Sequence, residues 1–238
     1  MKDLGPVNLN AMLFPNLDRR IAEARERIAR AAERGGLGQK ATIIAVTKTH
    51  GPDAPAAVFE SGIADVGENR VQEALGKMAD VSVPVRWHLI GHLQRNKVKS
   101  LDKFSLFHAL DSVRLAEAID RFGAECGKPV DLLVQVNPAR EETKGGFDVD
   151  EIGALADQLA PMKGIVVRGA MTVARLGADE KELRETFAAV RETGRILQAA
   201  GHPATELSMG MSNDYELAVE EGATMVRLGS FLFGERGK

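Results

Sequence analysis

Lys48 closes the stretch TIIAVTKTHG (Thr42 to Gly51), in which Ile43 to Thr47 are apolar or β-branched and a glycine–proline break follows. Five such residues in a row read as a buried strand of a parallel sheet. A lysine at the carboxyl end of such a strand has a chemical use. In a partly apolar cavity its charged form is disfavoured, so its pKa falls from about 10.4. The free amine can then attack a carbonyl and form a Schiff base. The other reading is a lysine that faces solvent over the rim, the commoner fate of an isolated one.

Two later loops suit an anion. In LSMGMSND (Leu207 to Asp214), Ser208 and Ser212 offer hydroxyls, Gly210 permits close backbone approach, and Met209 and Met211 flank the loop. A helix opened by Ser212 or Asn213 would present free N–H groups. In RLGSFLFG, Gly229 and Ser230 repeat the arrangement. Either loop alone is ordinary turn chemistry. Both together favour a phosphate. Arg227, inside the apolar run TMVRLGS, needs an anion or a carboxylate partner if it points inward.

These residues need a frame. Asn16 to Arg34 carries Leu17, Ile21, Ala24, Ile28 and Ala31 on one helical face, and Gly35 and Gly36 then stop the helix. Beyond it, strand-like runs at Thr42–Thr47, Ala64–Gly67, Val85–Gly91, Leu106–Asp111, Asp131–Asn137, Val166–Met171, Glu206–Gly210 and Met225–Gly229 alternate with amphipathic stretches such as 112–127 and 179–201. The pattern predicts an α/β protein, a single (β/α)8 TIM-type barrel (41–236) behind an N-terminal helical extension (1–40). In such a barrel chemistry gathers at the carboxyl ends of strands. The polar residues expected there are Lys48, Glu68, Asn69, His88, His92, Asp111, Asn137 and Thr172, with the two loops above.

Composition sets bounds. A chain of 238 residues with 44% hydrophobic residues can bury a large core, and a net charge of −3 argues against a general nucleic-acid binder. The one cysteine, Cys126, fits a reducing compartment. No apolar run has signal-peptide or membrane-span character, so a soluble cytoplasmic protein is expected, with no membrane partner.

The segments AVTKTH, GENRVQEAL, WHLIGHLQRNK, ETKGGF and LSMGMSNDYELAVEEGATMVRLGSFLFGER together resemble the YggS/PROSC family of pyridoxal 5'-phosphate homeostasis proteins. The barrel of that family is similar to that of alanine racemase. The resemblance implies that Lys48 holds pyridoxal 5'-phosphate as an internal aldimine. It implies that Ser208, Ser212, Gly229 and Ser230 bind the phosphate, with Met209 and Gly210 in the same loop. Arg227 would face the pyridine nitrogen, and Asn69 and His88 would line the surroundings.

The resemblance also implies a carrier that stores the cofactor or delivers it to apo-enzymes, without established catalysis; a monomer is expected because the racemase's second domain, with its dimer surface, has no counterpart here. The racemases take a catalytic tyrosine from a second domain, whereas the one tyrosine here, Tyr215, is expected to pack or cap a helix. The alternative is a weak amino-acid racemase with His88 as base. A Schiff-base aldolase is disfavoured because strand six ends in GAMT without a lysine, and a zinc site at His88 and His92 because HLIGH lacks the glutamate of the zinc-protease motif. Arg95, Lys97 and Lys99 read as a solvated helix face. Lys144, in ETKGG, is a second candidate for aldehyde capture.

Overall fold

The structure is a computed structural model that describes residues 13–141 and 145–234. Helix α1 (Leu17–Gly35) buries Leu17, Ile21, Ala24, Ile28 and Ala31, the stripe its sequence spacing predicts. Gly36 takes the left-handed conformation, φ 65°, and its N–H reaches the carbonyl of Ala32 to end the helix.

The strands are β1 (Thr42–Val46), β2 (Asp65–Glu68), β3 (Arg86–Leu89), β4 (Leu106–Leu110), β5 (Val130–Gln135), β6 (Ile165–Met171), β7 (Glu206–Met211) and β8 (Met225–Leu228). All neighbours pair in parallel, and β8 pairs with β1 to close the barrel in chain order. The helices that return the chain are α2 (Asp53–Glu60), α3 (Val71–Asp80), α4 (Val113–Glu125), α5 (Ile152–Leu159), α6 (Glu180–Ala199) and α7 (Tyr215–Glu220); a 3-10 helix (Arg95–Lys103) joins β3 to β4, and α8 (Ser230–Phe233) follows β8. The (β/α)8 barrel behind one N-terminal helix is therefore present as its sequence predicts. Arg168, which interrupts the apolar pattern of β6, pairs with Asp131 of β5 at 2.9 Å.

Between barrel and helices lies an apolar layer that includes Leu110, Ile119, Leu133, Phe187 and Val190, each at most 1% exposed. Fully burying each large side chain contributes roughly 1.5–3 kcal/mol. Helix α1 covers α7 and α8, the elements that follow the two serine-glycine loops. Arg34 pairs with Glu220 at 2.6 Å, and Arg20 donates to the carbonyl of Leu232 at 3.1 Å. The extension thus braces the site from outside.

Candidate functional site

The carboxyl ends of β1, β7 and β8 lie side by side, because β8 pairs with both neighbours. The register sets Ile44 against Arg227 and Ala45 against Leu228, so the chain leaves β1 and β8 at one height. A Cβ built on Gly229 would lie 3.5 Å from the Cβ of Val46, which puts the loop after β8 against the end of β1.

Lys48 is half-buried in the turn that follows β1. That turn is tied on several sides. The Nζ of Lys77 donates to the Thr47 carbonyl at 2.7 Å, and the Thr47 hydroxyl donates to Glu68 at 2.6 Å. The N–H of Thr49 donates to Glu73 at 2.5 Å. Thr49 has φ 68°, a region costly for a β-branched residue, and these bonds are what hold it there. The His50 ring packs 4.6 Å from that of Phe233 and 6.0 Å from that of Phe14.

Lys77, Glu68 and Glu73 form one cluster, with Lys77 Nζ 2.7 Å from Glu68 and 3.0 Å from Glu73. Burial pushes the Glu68 carboxyl above its usual range, although Lys77 and Thr47 act against it. Burial acts the same way on Glu73, but the Thr49 N–H and Lys77 outweigh it and hold that carboxyl low.

The loops after β7 and β8 meet on Ser212, whose hydroxyl oxygen accepts from the N–H groups of Phe231 at 3.1 Å and Gly229 at 3.4 Å. Ser230 is exposed beside them, and its hydroxyl makes no hydrogen bond among the described residues. The two hydroxyls, with two N–H groups that now converge on the Ser212 oxygen and would turn to a bound anion, gather donors of the kind a phosphate monoester takes. Asn69, half-buried just after β2, has a side-chain amide likewise without a partner among the described residues.

Other expected residues sit elsewhere or act differently. Helix α7 starts at Tyr215 behind Asp214, not at Ser212 or Asn213. At Gly210, with φ 89°, a Cβ would come 2.6 Å from the Cβ of Ala218 and 2.9 Å from the Cα of Tyr215. The close approach that Gly210 permits in this structure is to α7. Met209 is fully buried and belongs to the apolar core. Ser208 is not with Ser212 and Gly229: its hydroxyl is buried between Arg227, at 2.7 Å, and His108, at 2.9 Å. Lys144 lies outside the described residues.

Arg227 points into the barrel and donates to the carbonyls of Ser208 and Thr172 at 2.8 and 2.7 Å. Burial pushes its pKa down to about 10, with Asp214 acting against that, so it remains a cation at neutral pH. His88 is 4% exposed, and both ring nitrogens are engaged, by His108 at 2.9 Å and Asp65 at 3.0 Å. His92 is exposed on its loop and bonds Asp111 at 2.7 Å, well apart in environment from His88. Among the described residues no group of three histidine, cysteine or carboxylate side chains is arranged for a metal ion.

Sequence reasoning missed His108, Asp65, Lys77 and Glu73. His108 lies mid-strand and Asp65 opens β2, both away from the carboxyl ends of strands where chemistry is expected. A histidine in the apolar run FSLFHAL was the available signal. Glu73 and Lys77, four apart on a helix, look like a surface pair.

Residues 20–237 match the family model described as alanine racemase, N-terminal domain. A pyridoxal phosphate homeostasis protein of Aquifex aeolicus is 39% identical over 225 residues, which are 93% of this chain and 99% of that protein. One of Pseudomonas aeruginosa is 34% identical, over 91% of this chain and 94% of its own length. Among solved structures, PipY of Synechococcus elongatus with PLP bound superposes with a TM-score of 0.80 at 36% identity, covering 92% of this chain and all of that one. Alanine racemase of Corynebacterium glutamicum shares the fold, with a TM-score of 0.69 at 17% identity over 89% of this chain and 61% of that one.

Proposed function

Since this chain belongs to the alanine racemase N-terminal domain family, and within it to the pyridoxal phosphate homeostasis proteins, we propose that it binds pyridoxal 5'-phosphate and keeps it available to the cell. The observation that carries this reading is the adjacency of a tethered, half-buried lysine and a phosphate-like donor set at the joined ends of β1 and β8. When bound, the cofactor supplies an aldehyde that an amine can capture, a phosphate and a pyridine ring.

Lys48 is the capturing amine in this reading, and the Lys77 cluster fixes the backbone that presents it. Ser212, Ser230 and the N–H groups around Gly229 hold the phosphate, and Asn69, just after β2, lines the cofactor's surroundings. Met209 and Gly210 shape the loop from behind instead of touching the cofactor. Arg227, a fixed cation, would face the ring nitrogen and oppose its protonation, because like charges brought into contact cost several kcal/mol even at an effective dielectric of about 20. A protonated ring nitrogen is the electron sink that fast carbanion chemistry uses.

In the same reading the protein is a cytoplasmic monomer that stores the cofactor and passes it to apo-enzymes, with effects on amino-acid metabolism. No helix among the described residues is long and apolar enough to cross a membrane. The relatives are named for homeostasis, not for a reaction. The weak racemase is the second reading, and the side chains argue against it. His88 has both nitrogens committed within the barrel. Tyr215 is 2% exposed with its ring 5.5 Å from that of Phe231, and burial pushes its pKa up to about 12, so it is no base at neutral pH.

Equilibrium dialysis against pyridoxal 5'-phosphate tests the binding. Wild-type protein is expected to retain one equivalent, and Lys48→Ala to lose most of it. Equal retention by both would remove Lys48 from the account. Exchange of an amino acid's α-proton with solvent at enzymatic rates would favour the racemase.

A further inference from the structure

A file of hydrogen bonds crosses the barrel from β8 to β2. Arg227 Nη1 lies 2.7 Å from the Ser208 hydroxyl, which lies 2.9 Å from His108 Nδ1. His108 Nε2 lies 2.9 Å from His88 Nδ1, and His88 Nε2 lies 3.0 Å from Asp65. Strands β4 and β7, which carry His108 and Ser208, are not neighbours in the sheet, so that bond spans the interior. Every member is at most 5% exposed.

The file has one polarity that leaves nothing unsatisfied. Arginine can only donate, so the Ser208 oxygen accepts from it. The serine proton then goes to His108 Nδ1, which leaves the His108 proton on Nε2. That proton goes to His88 Nδ1, and the His88 Nε2–H goes to Asp65, which as a carboxylate only accepts. Each imidazole carries one proton, on Nε2. For His108 this agrees with its complete burial, which holds it well below the usual histidine range, the Arg227 cation acting the same way. In the reverse sense Arg227 and His108 would both donate to Ser208, and the serine proton would have no acceptor.

We propose that Asp65 is a positioning residue for Arg227: through His88, His108 and Ser208 it fixes the direction of the file and so holds the guanidinium as an oriented cation at the site. The direct acceptors of Arg227 are neutral, two carbonyls and a hydroxyl. A buried cation without a contacting carboxylate is costly, and dipoles aligned between it and a distant anion offset part of that cost. Arg86, which also bonds Asp65, stands at the outer end and does not enter the file.

This rests on the cofactor reading only for what Arg227 faces, and the two fail separately. Nitrogen-15 NMR of histidine-labelled protein without cofactor reads the file itself. His88 and His108 are expected as neutral rings protonated on Nε2 at pH 7; His108 protonated on Nδ1, or His88 as imidazolium, would overturn the proposal. In Asp65→Asn, whose amide can donate to His88 Nε2, the His108 proton is expected to move to Nδ1, with retention of pyridoxal 5'-phosphate weakened by roughly tenfold, as for wrong-tautomer effects through fewer links. Asp65→Glu is expected to restore the tautomer and most of the retention. Arg86→Leu is expected to change neither, whereas an equal loss in Arg86→Leu and Asp65→Asn would mark the effect as general loosening of the fold and contradict the proposal. If tautomers shift and no cofactor binds to wild type, the file stands and the cofactor reading falls.

Discussion

The Nζ of Lys77 lies 2.7 Å from the backbone carbonyl oxygen of Thr47, the residue before Lys48. A buried lysine thus holds, through its own head group, the backbone that leads into Lys48. Its charge is met by Glu68, fully buried, and Glu73, partly buried. Lys77→Met is expected to destabilise the protein by about 3–5 kcal/mol, because it leaves the Glu68 carboxylate buried without its cation. Adding Glu68→Gln to that variant is expected to recover a large part of the loss. Urea denaturation of both singles and the double gives the coupling directly.

Thr49 sits at φ 68° one residue past Lys48. Asparagine tolerates that region far better than a β-branched residue. Thr49→Asn is expected to raise stability by about 1 kcal/mol, read as a higher Tm, while the N–H to Glu73 is kept. A lower Tm would mean that the threonine side chain contributes more than its backbone costs.

Gly210 is required by packing. A methyl group there would press on Ala218 and Tyr215 of α7, at a backbone angle of φ 89°. Gly210→Ala is expected to cost about 2 kcal/mol or more and to loosen the Ser212 loop as α7 shifts. Serine 212 itself makes a milder test. Ser212→Ala removes a hydroxyl donor of the set and the oxygen that orients the Gly229 and Phe231 N–H groups, so retention of pyridoxal 5'-phosphate is expected to fall several-fold with stability changed by about 1 kcal/mol. Unchanged retention would take Ser212 out of the phosphate site.

Asp65 gives a pH signature. Burial alone would raise its carboxyl, but His88 and Arg86 outweigh it and hold the group below its usual value. An acid with a depressed folded-state pKa contributes stability that is present above its unfolded pKa, about 3.9, and lost as pH falls through the folded value. Wild-type stability is therefore expected to drop below about pH 4, more steeply than that of Asp65→Asn. Parallel curves would show that Asp65 does not contribute. Glu68 has the opposite sign: its raised carboxyl contributes stability below about 4.3 that is lost as pH rises through the folded value.

The barrel was legible because burial on both faces writes β1, β4 and β8 as apolar runs, and α1 as a clean stripe. The rim was legible too. Lys48, Asn69, Ser212, Gly229 and Ser230 lie at strand ends, where their sequence positions put them. The interior was not. Their positions near strand ends assign Ser208 and His88 to the cofactor's walls, but strand alternation and closure turn them toward residues 100 and 23 positions away, and no local pattern encodes such contacts. Lys77 was hidden for the same reason: a charged residue on a helix reads as solvated until a strand end is seen beneath it.

The account turns on Lys48, and borohydride reduction of the cofactor-loaded protein followed by peptide mass spectrometry tests it most directly. Reduction fixes the pyridoxal group to the amine that holds it. The prediction is one equivalent on the peptide containing Lys48, and none there in Lys48→Ala. An adduct confined to Lys144, or none after loading, would contradict the central claim and leave the loops after β7 and β8 as a phosphate site for some other molecule.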